Sequence, residues 1–92
     1  MDKLVSVIYS PDARKDIKKL DKKEGRRVVL KIKENTESPN PLQRAKALSG
    51  ILSGYYRYRI GDYRAIFSWD EKGQVSILKI LRVKHRKDVY RM

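Results

Sequence analysis

Residues 55–69 read YYRYRIGDYRAIFSW and largely alternate in character on either side of Gly61-Asp62. Successive strand side chains point to opposite faces, so the pattern predicts a β-hairpin with its loop at Gly61-Asp62. The register then pairs Ile60 with Tyr63, Arg59 with Arg64, Tyr58 with Ala65, Arg57 with Ile66 and Tyr56 with Phe67. One face is apolar and aromatic, built from Tyr56, Tyr58, Ile60, Tyr63, Ala65 and Phe67, and the other carries Arg57, Arg59 and Arg64 beside Ile66. Alternating charge in a strand is ordinarily no more than a solvated face. Like charges directly opposite each other, however, weaken a sheet unless an anion lies between them, so the facing pair points to an anionic ligand.

Composition narrows the partner. With 23 Lys and Arg against 11 Asp and Glu, the chain carries a formal charge of +12, and the excess is present in both halves. No detachable basic tail explains it. A surplus of this size attracts polyanions, either a nucleic acid or an acidic protein. Ninety-two residues, of which 40% are apolar, predict one folded domain, residues 1–92, with a single core. There is no cysteine and a single histidine, His85, which removes disulfide frameworks, thiolate zinc sites and His-based metal sites, so neither metal nor cofactor is expected. The start MDKLVSVIYS lacks a secretory pattern and no apolar run is long enough to span a bilayer, so a cytoplasmic location with no membrane partner is expected.

The remaining segments read as a small α+β domain. Residues 3–9 are rich in β-formers, and Ser10-Pro11-Asp12 is a helix start, with Ala13, Ile17 and Leu20 forming an apolar stripe behind it. Asp21 and Glu24 have capping-box spacing and predict a second helix through Val28, Val29 and Ile32 to about Asn35. Residues 37–54 read as a loop, and Asp70-Glu71-Lys72-Gly73 as the turn into a last strand, residues 75–83. A four-residue turn there places Leu78 opposite Ala65 and Lys79 opposite Arg64, extending the basic face. The expected fold is a small antiparallel sheet of about four strands, packed against an N-terminal helical hairpin, in the order β-α-α-β-β-β.

The order and spacing of YYRYRIGDYRAIF and VSILKILRVKHRKDVYR resemble the RelE/ParE superfamily of toxins from toxin–antitoxin systems. The resemblance covers nearly the whole chain. It implies a toxin held inactive by an acidic antitoxin. RelE-like members cleave messenger RNA, usually in the ribosomal A site, whereas ParE-like members act on DNA gyrase, and a shared fold does not separate the two activities. Carried over residue by residue, Arg57 and Arg59 match basic strand positions of the ribosome-dependent nucleases, and Arg64 matches the arginine after the second-strand tyrosine. Tyr90 matches their terminal catalytic tyrosine. Where those nucleases place an arginine six residues before that tyrosine, this chain has Lys84, flanked by Arg82 and Arg86.

RNA cleavage of this kind uses the 2′-hydroxyl as internal nucleophile and needs charge stabilisation at phosphorus, a base and an acid. Arg57, Arg59 and Arg64 are candidates for the phosphate clamp. Tyr90 or His85 is the candidate base, and Arg64, His85 or Lys84 the acid. Lys79, Arg82, Arg86 and Lys87, with Lys18, Lys22 and Arg26 on the helices, are candidate phosphate contacts to mRNA and 16S rRNA. The expectation is a ribosome-dependent, metal-independent endoribonuclease, with DNA contacted only through the antitoxin complex. The alternatives are a ParE-like gyrase inhibitor without enzymatic activity and a degenerate toxin retained for nucleic-acid or antitoxin binding.

Overall fold

The computed structural model describes residues 4–89, in the order β1 (Leu4–Tyr9), α1 (Pro11–Lys18), α2 (Lys22–Thr36), β2 (Ala45–Ala47), β3 (Tyr56–Ile60), β4 (Tyr63–Lys72) and β5 (Val75–His85). Both helix starts follow the capping chemistry of the sequence. Ser10 Oγ accepts from the Ala13 amide at 3.0 Å, and Asp21 Oδ1 accepts from the Glu24 amide at 2.8 Å, satisfying amides that have no partner inside the helix.

The sheet has five strands rather than four, in the order β1-β5-β4-β3-β2, and it is mixed rather than wholly antiparallel. β2 was hidden in the long connection because Ala45-Lys46-Ala47 has no β-forming bias, and its pairing along β3 sustains it. β1 runs parallel to β5, a contact that needs the two helices as a crossover and leaves no local mark in the sequence.

The central hairpin has the expected register in full, from Tyr56↔Phe67 to Ile60↔Tyr63. Gly61 takes the positive φ of 59° that tight hairpin turns require of glycine. The β4–β5 pairing departs from expectation. Strand continues through Lys72, so only Gly73-Gln74 remain in the turn, and an irregularity between Ile66 and Phe67 leaves Leu81 as an extra residue on β5. Ala65 therefore faces Val83 instead of Leu78, and Arg64 faces Lys84 instead of Lys79.

Two apolar clusters result, one on each face. The main core presses Ala13, Val28 and Ile32 of the helices onto Tyr58, Phe67, Leu78 and Ile80 of the sheet, with the Tyr58 and Phe67 rings 4.5 Å apart. The smaller cluster joins Ile66, Leu48 and Val89 on the opposite, basic face, with Leu52 against it. Val89 thus pins the chain after β5 back across that face.

The buried Tyr58 hydroxyl donates to the Pro41 carbonyl at 2.7 Å, tying the long connection to the core. Burial pushes its pKa up to about 12. Tyr58→Phe should lower unfolding free energy by about 1–3 kcal/mol, since a buried carbonyl loses its donor. Urea melts of the two proteins would check this, and equal midpoints would mean the bond adds nothing.

Candidate active site and nucleic-acid interface

The sheet brings the basic residues together in rows. Directly opposed residues share a face, so Arg59, Arg64 and Lys84 form one row across β3, β4 and β5. The next row runs Lys46, Arg57, Ile66 and Arg82. Lys46, exposed on β2, was not a candidate from sequence because its segment reads as loop.

Arg64 is held at the centre. Its Nη1 donates to the carbonyls of Gly61 and Tyr63, both at 2.9 Å, so the hairpin turn fixes the guanidinium against the strand. Partial burial lowers its pKa, and the positive charges of Arg57, Arg59 and Arg86 lower it further, against a smaller opposing effect of Asp62. Three neighbouring guanidinium groups therefore act on Arg64. Arg86 arrives from the 3-10 turn that follows β5: its amide donates to the Asp62 carbonyl at 2.7 Å, and its Nε lies 3.8 Å from the Asp62 carboxylate.

Other candidates lie elsewhere. His85 pairs with Tyr63, on the aromatic side of the sheet; the two rings meet edge to face at 5.7 Å, and its Nδ1 accepts from the Lys87 amide at 3.2 Å. It is therefore turned away from the row of Arg64 and Lys84. Lys87 is exposed in the same 3-10 turn. Lys79 pairs with Ser68, four residues along β4 from Arg64, or about 13 Å at strand rise. Lys18, Lys22 and Arg26 are exposed on the helical layer, behind the sheet from the arginines. Tyr90 lies outside the described residues.

Arg82 has two of its donors engaged by Asp16 of α1, Nε at 2.8 Å and Nη2 at 3.0 Å. Burial raises the Asp16 pKa, but the hydrogen bonds from Arg82 and the Val83 amide, with the charges of Arg82 and Lys84, outweigh it and hold the carboxyl below its usual value. Asp16 carries no signal of this role in the sequence. Arg27 reads in the sequence only as one of the basic helix residues that could meet ribosomal RNA, but from α2 its guanidinium lies against the tip of the central hairpin, about 3.0 Å from where a side chain on Gly61 would begin.

Such an array can bind a phosphodiester and stabilise added charge on it. Among the described residues, no group of three or more His, Cys, Asp or Glu is placed to hold a metal ion, and no helix is long and apolar enough to cross a membrane.

Comparison with known proteins agrees with this architecture. Toxin RelG of Mycobacterium tuberculosis (strain ATCC 25618 / H37Rv) is 34% identical over 89 residues, covering 94% of this chain and 95% of the relative. In the archaeal RelE–RelB complex from Pyrococcus horikoshii OT3, the matching chain superposes with a TM-score of 0.65 at 31% identity, over 94% of this chain and 97% of that one. The toxin–antitoxin complex RelBE2 from Mycobacterium tuberculosis gives a TM-score of 0.62 at 27% identity, over 94% and 100%. Residues 7–90 match the family model described as the ParE toxin of type II toxin–antitoxin system, parDE. With the family model spanning nearly its whole length and relatives of this likeness, the chain belongs to the RelE/ParE superfamily of type II toxin–antitoxin toxins.

Proposed function

We propose that this toxin is a ribosome-dependent endoribonuclease that cuts messenger RNA in the A site and so halts translation. The observation that carries the reading is Arg64, fixed by two carbonyls among Arg57, Arg59 and Arg86, with Lys84 opposite. A fixed guanidinium ringed by further positive charge suits a phosphate whose charge grows in the transition state, because that donor needs no reorganisation as the charge develops.

In the reaction, the 2′-oxygen attacks phosphorus and the bond to the 5′-oxygen breaks, leaving a 2′,3′-cyclic phosphate and a free 5′-hydroxyl. The proton of the 2′-hydroxyl goes to a base, and the leaving oxygen receives one from an acid. Because His85 faces the aromatic side, the base is assigned to Tyr90, which directly follows the anchored Val89. A tyrosine has an ordinary pKa near 10 and needs cations close by to act as base. Arg64 or Lys84 is the acid, and the lowered pKa of Arg64 is in the direction an acid requires. Lys79, Arg86 and Lys87 extend the phosphate track, while Lys18, Lys22 and Arg26 offer the helical layer to 16S rRNA. At rest, an acidic antitoxin neutralises the basic face, a partnership supported by the toxin–antitoxin complexes among similar structures.

On purified ribosomes stalled on a defined message, Arg64→Ala should slow cutting about 10²–10³-fold, and Tyr90→Phe about 10²–10⁴-fold, with the fold retained. Unchanged cutting in both variants would remove the assignment. The ParE description of the matching family model favours a second reading, a gyrase inhibitor without nuclease activity. Growth arrest with gyrase-linked DNA breaks and intact messages would establish it instead.

The anion requirement has its own test. If Arg59 and Arg64 repel each other across the strand pair, Arg59→Gln should melt above the wild type at low ionic strength, and the gap should close at about 1 M salt, where screening acts over about 3 Å. A variant that melts lower would show that the cluster is not under repulsion.

A further inference from the structure

β1 pairs with β5 only as far as Tyr9↔Ile80, then leaves the sheet for α1. From there on β5 has a single strand neighbour, β4, yet this is the part of β5 that carries Lys84 and leads into the turn with Arg86 and Val89. An open edge with unpaired amides and carbonyls is a poor support for a site whose geometry must hold.

Side chains of the α1 segment replace the missing strand. The Ser10 amide donates to the Ile80 carbonyl at 2.9 Å, and Ser10 Oγ donates to the Leu81 carbonyl at 2.8 Å. Six residues further on, in α1, Asp16 Oδ2 accepts from the Val83 amide at 2.9 Å. The same carboxylate holds Arg82 with two donors, at 2.8 and 3.0 Å, and its side chain is only 7% exposed. Register places Arg82 on the basic face beside Ile66, so its guanidinium reaches round the open edge of β5 to meet Asp16. Asp16 thus supplies a strand-like acceptor to the backbone and restrains a guanidinium at the margin of the arginine cluster.

We infer that Asp16 is a positioning residue: its carboxylate on α1 stands in for the missing continuation of β1 at the edge of β5, and so sets where Lys84 and the Arg86 turn lie relative to Arg64. The inference rests on reading this face as the RNA-cleaving site. A buried acid that merely holds the fold together would change the amount of folded protein, whereas a positioning residue changes the rate of each folded molecule. Displacing a catalytic group by about 1 Å is enough to cost about 10²-fold in rate.

Three variants separate these roles. Asp16→Asn keeps an oxygen acceptor for the Val83 amide but loses the charge, Asp16→Ala loses both, and Asp16→Asn combined with Arg82→Gln gives a neutral pair. Cutting of a defined message should be measured against ribosome concentration, per folded toxin. Asp16→Asn is expected to lower kcat about tenfold and Asp16→Ala about a hundredfold, both with an unchanged half-saturating ribosome concentration, and the neutral pair to recover most of the loss in Asp16→Asn. Wild-type kcat in folded Asp16→Ala, or a loss that falls on the half-saturating concentration alone, would overturn the inference. If Asp16→Ala does not fold, Asp16→Asn and the neutral pair decide on the same criteria. Amide hydrogen exchange needs no activity: in Asp16→Ala, which removes the acceptor of the Val83 amide, exchange should rise from Val83 to Arg86 and stay unchanged along β3. Without that rise the clamp is absent, and this result stands apart from a wild type that fails to cut RNA, which would refute the proposed function instead.

Discussion

Burial of Tyr58 and Phe67 in one layer of the central hairpin is the constraint from which the rest follows. Their rings lie 4.5 Å apart beneath the helices, and both side chains are fully buried. Strand side chains alternate with period two, so sliding either strand by one residue would expose one of these rings and bury an arginine in its place. Fully burying one large apolar side chain is worth about 1.5–3 kcal/mol, whereas an uncompensated buried charge costs several. The register of the hairpin is therefore held far more firmly than the repulsion between Arg59 and Arg64 could disturb. The aromatic face fixes the place of the charges, which need not stabilise the sheet themselves.

That separation explains how one thin domain tolerates such a surface. Helices α1 and α2 cover the aromatic side and supply Ala13, Val28 and Ile32 to the core. On the basic side Ile66, Leu48 and Val89, with Leu52 against them, form a small apolar island that fastens the chain following β5. Charge on that side is moderated locally: Asp62 lies by Arg86, and Asp16 takes Arg82 at the edge. The guanidinium at the centre, Arg64, has as its acceptors among the described residues the carbonyls of Gly61 and Tyr63 at its own turn. The carboxylates thus sit at the margins of the cluster and leave its middle for an incoming anion.

Much of this was legible in the sequence, and the failures share a cause. The hairpin register could be read because alternation and a glycine turn are local signals, and the helix starts because capping chemistry lies within four residues. The β4–β5 register could not, since Asp70, Glu71 and Lys72 look like turn residues yet continue the strand, and the extra residue at Leu81 has no compositional mark. Lys79 was consequently placed in the row that Lys84 occupies. The parallel pairing of β1 with β5 and the short β2 depend on contacts distant in sequence. Asp16 and Arg27 were invisible as site neighbours for the same reason, as each reaches its partner across the fold from a helix.

A face that repels itself also gives the protein a thermodynamic reason to remain bound. Any polyanion that pairs with the folded form and not with the unfolded chain adds RT ln(1 + [L]/Kd) to its stability, about 2.7 kcal/mol at a hundredfold excess over Kd. For a domain of this size that is a large share of the total, which for small proteins is about 5–15 kcal/mol. The arginines that would bind a scissile phosphate therefore also place the free folded toxin above its polyanion-bound form. On the proposed function, an acidic antitoxin and an RNA would compete for the same unmet charge. On the same reading, either partner would relieve the Arg59–Arg64 opposition, so inhibition and substrate binding would draw on one electrostatic source.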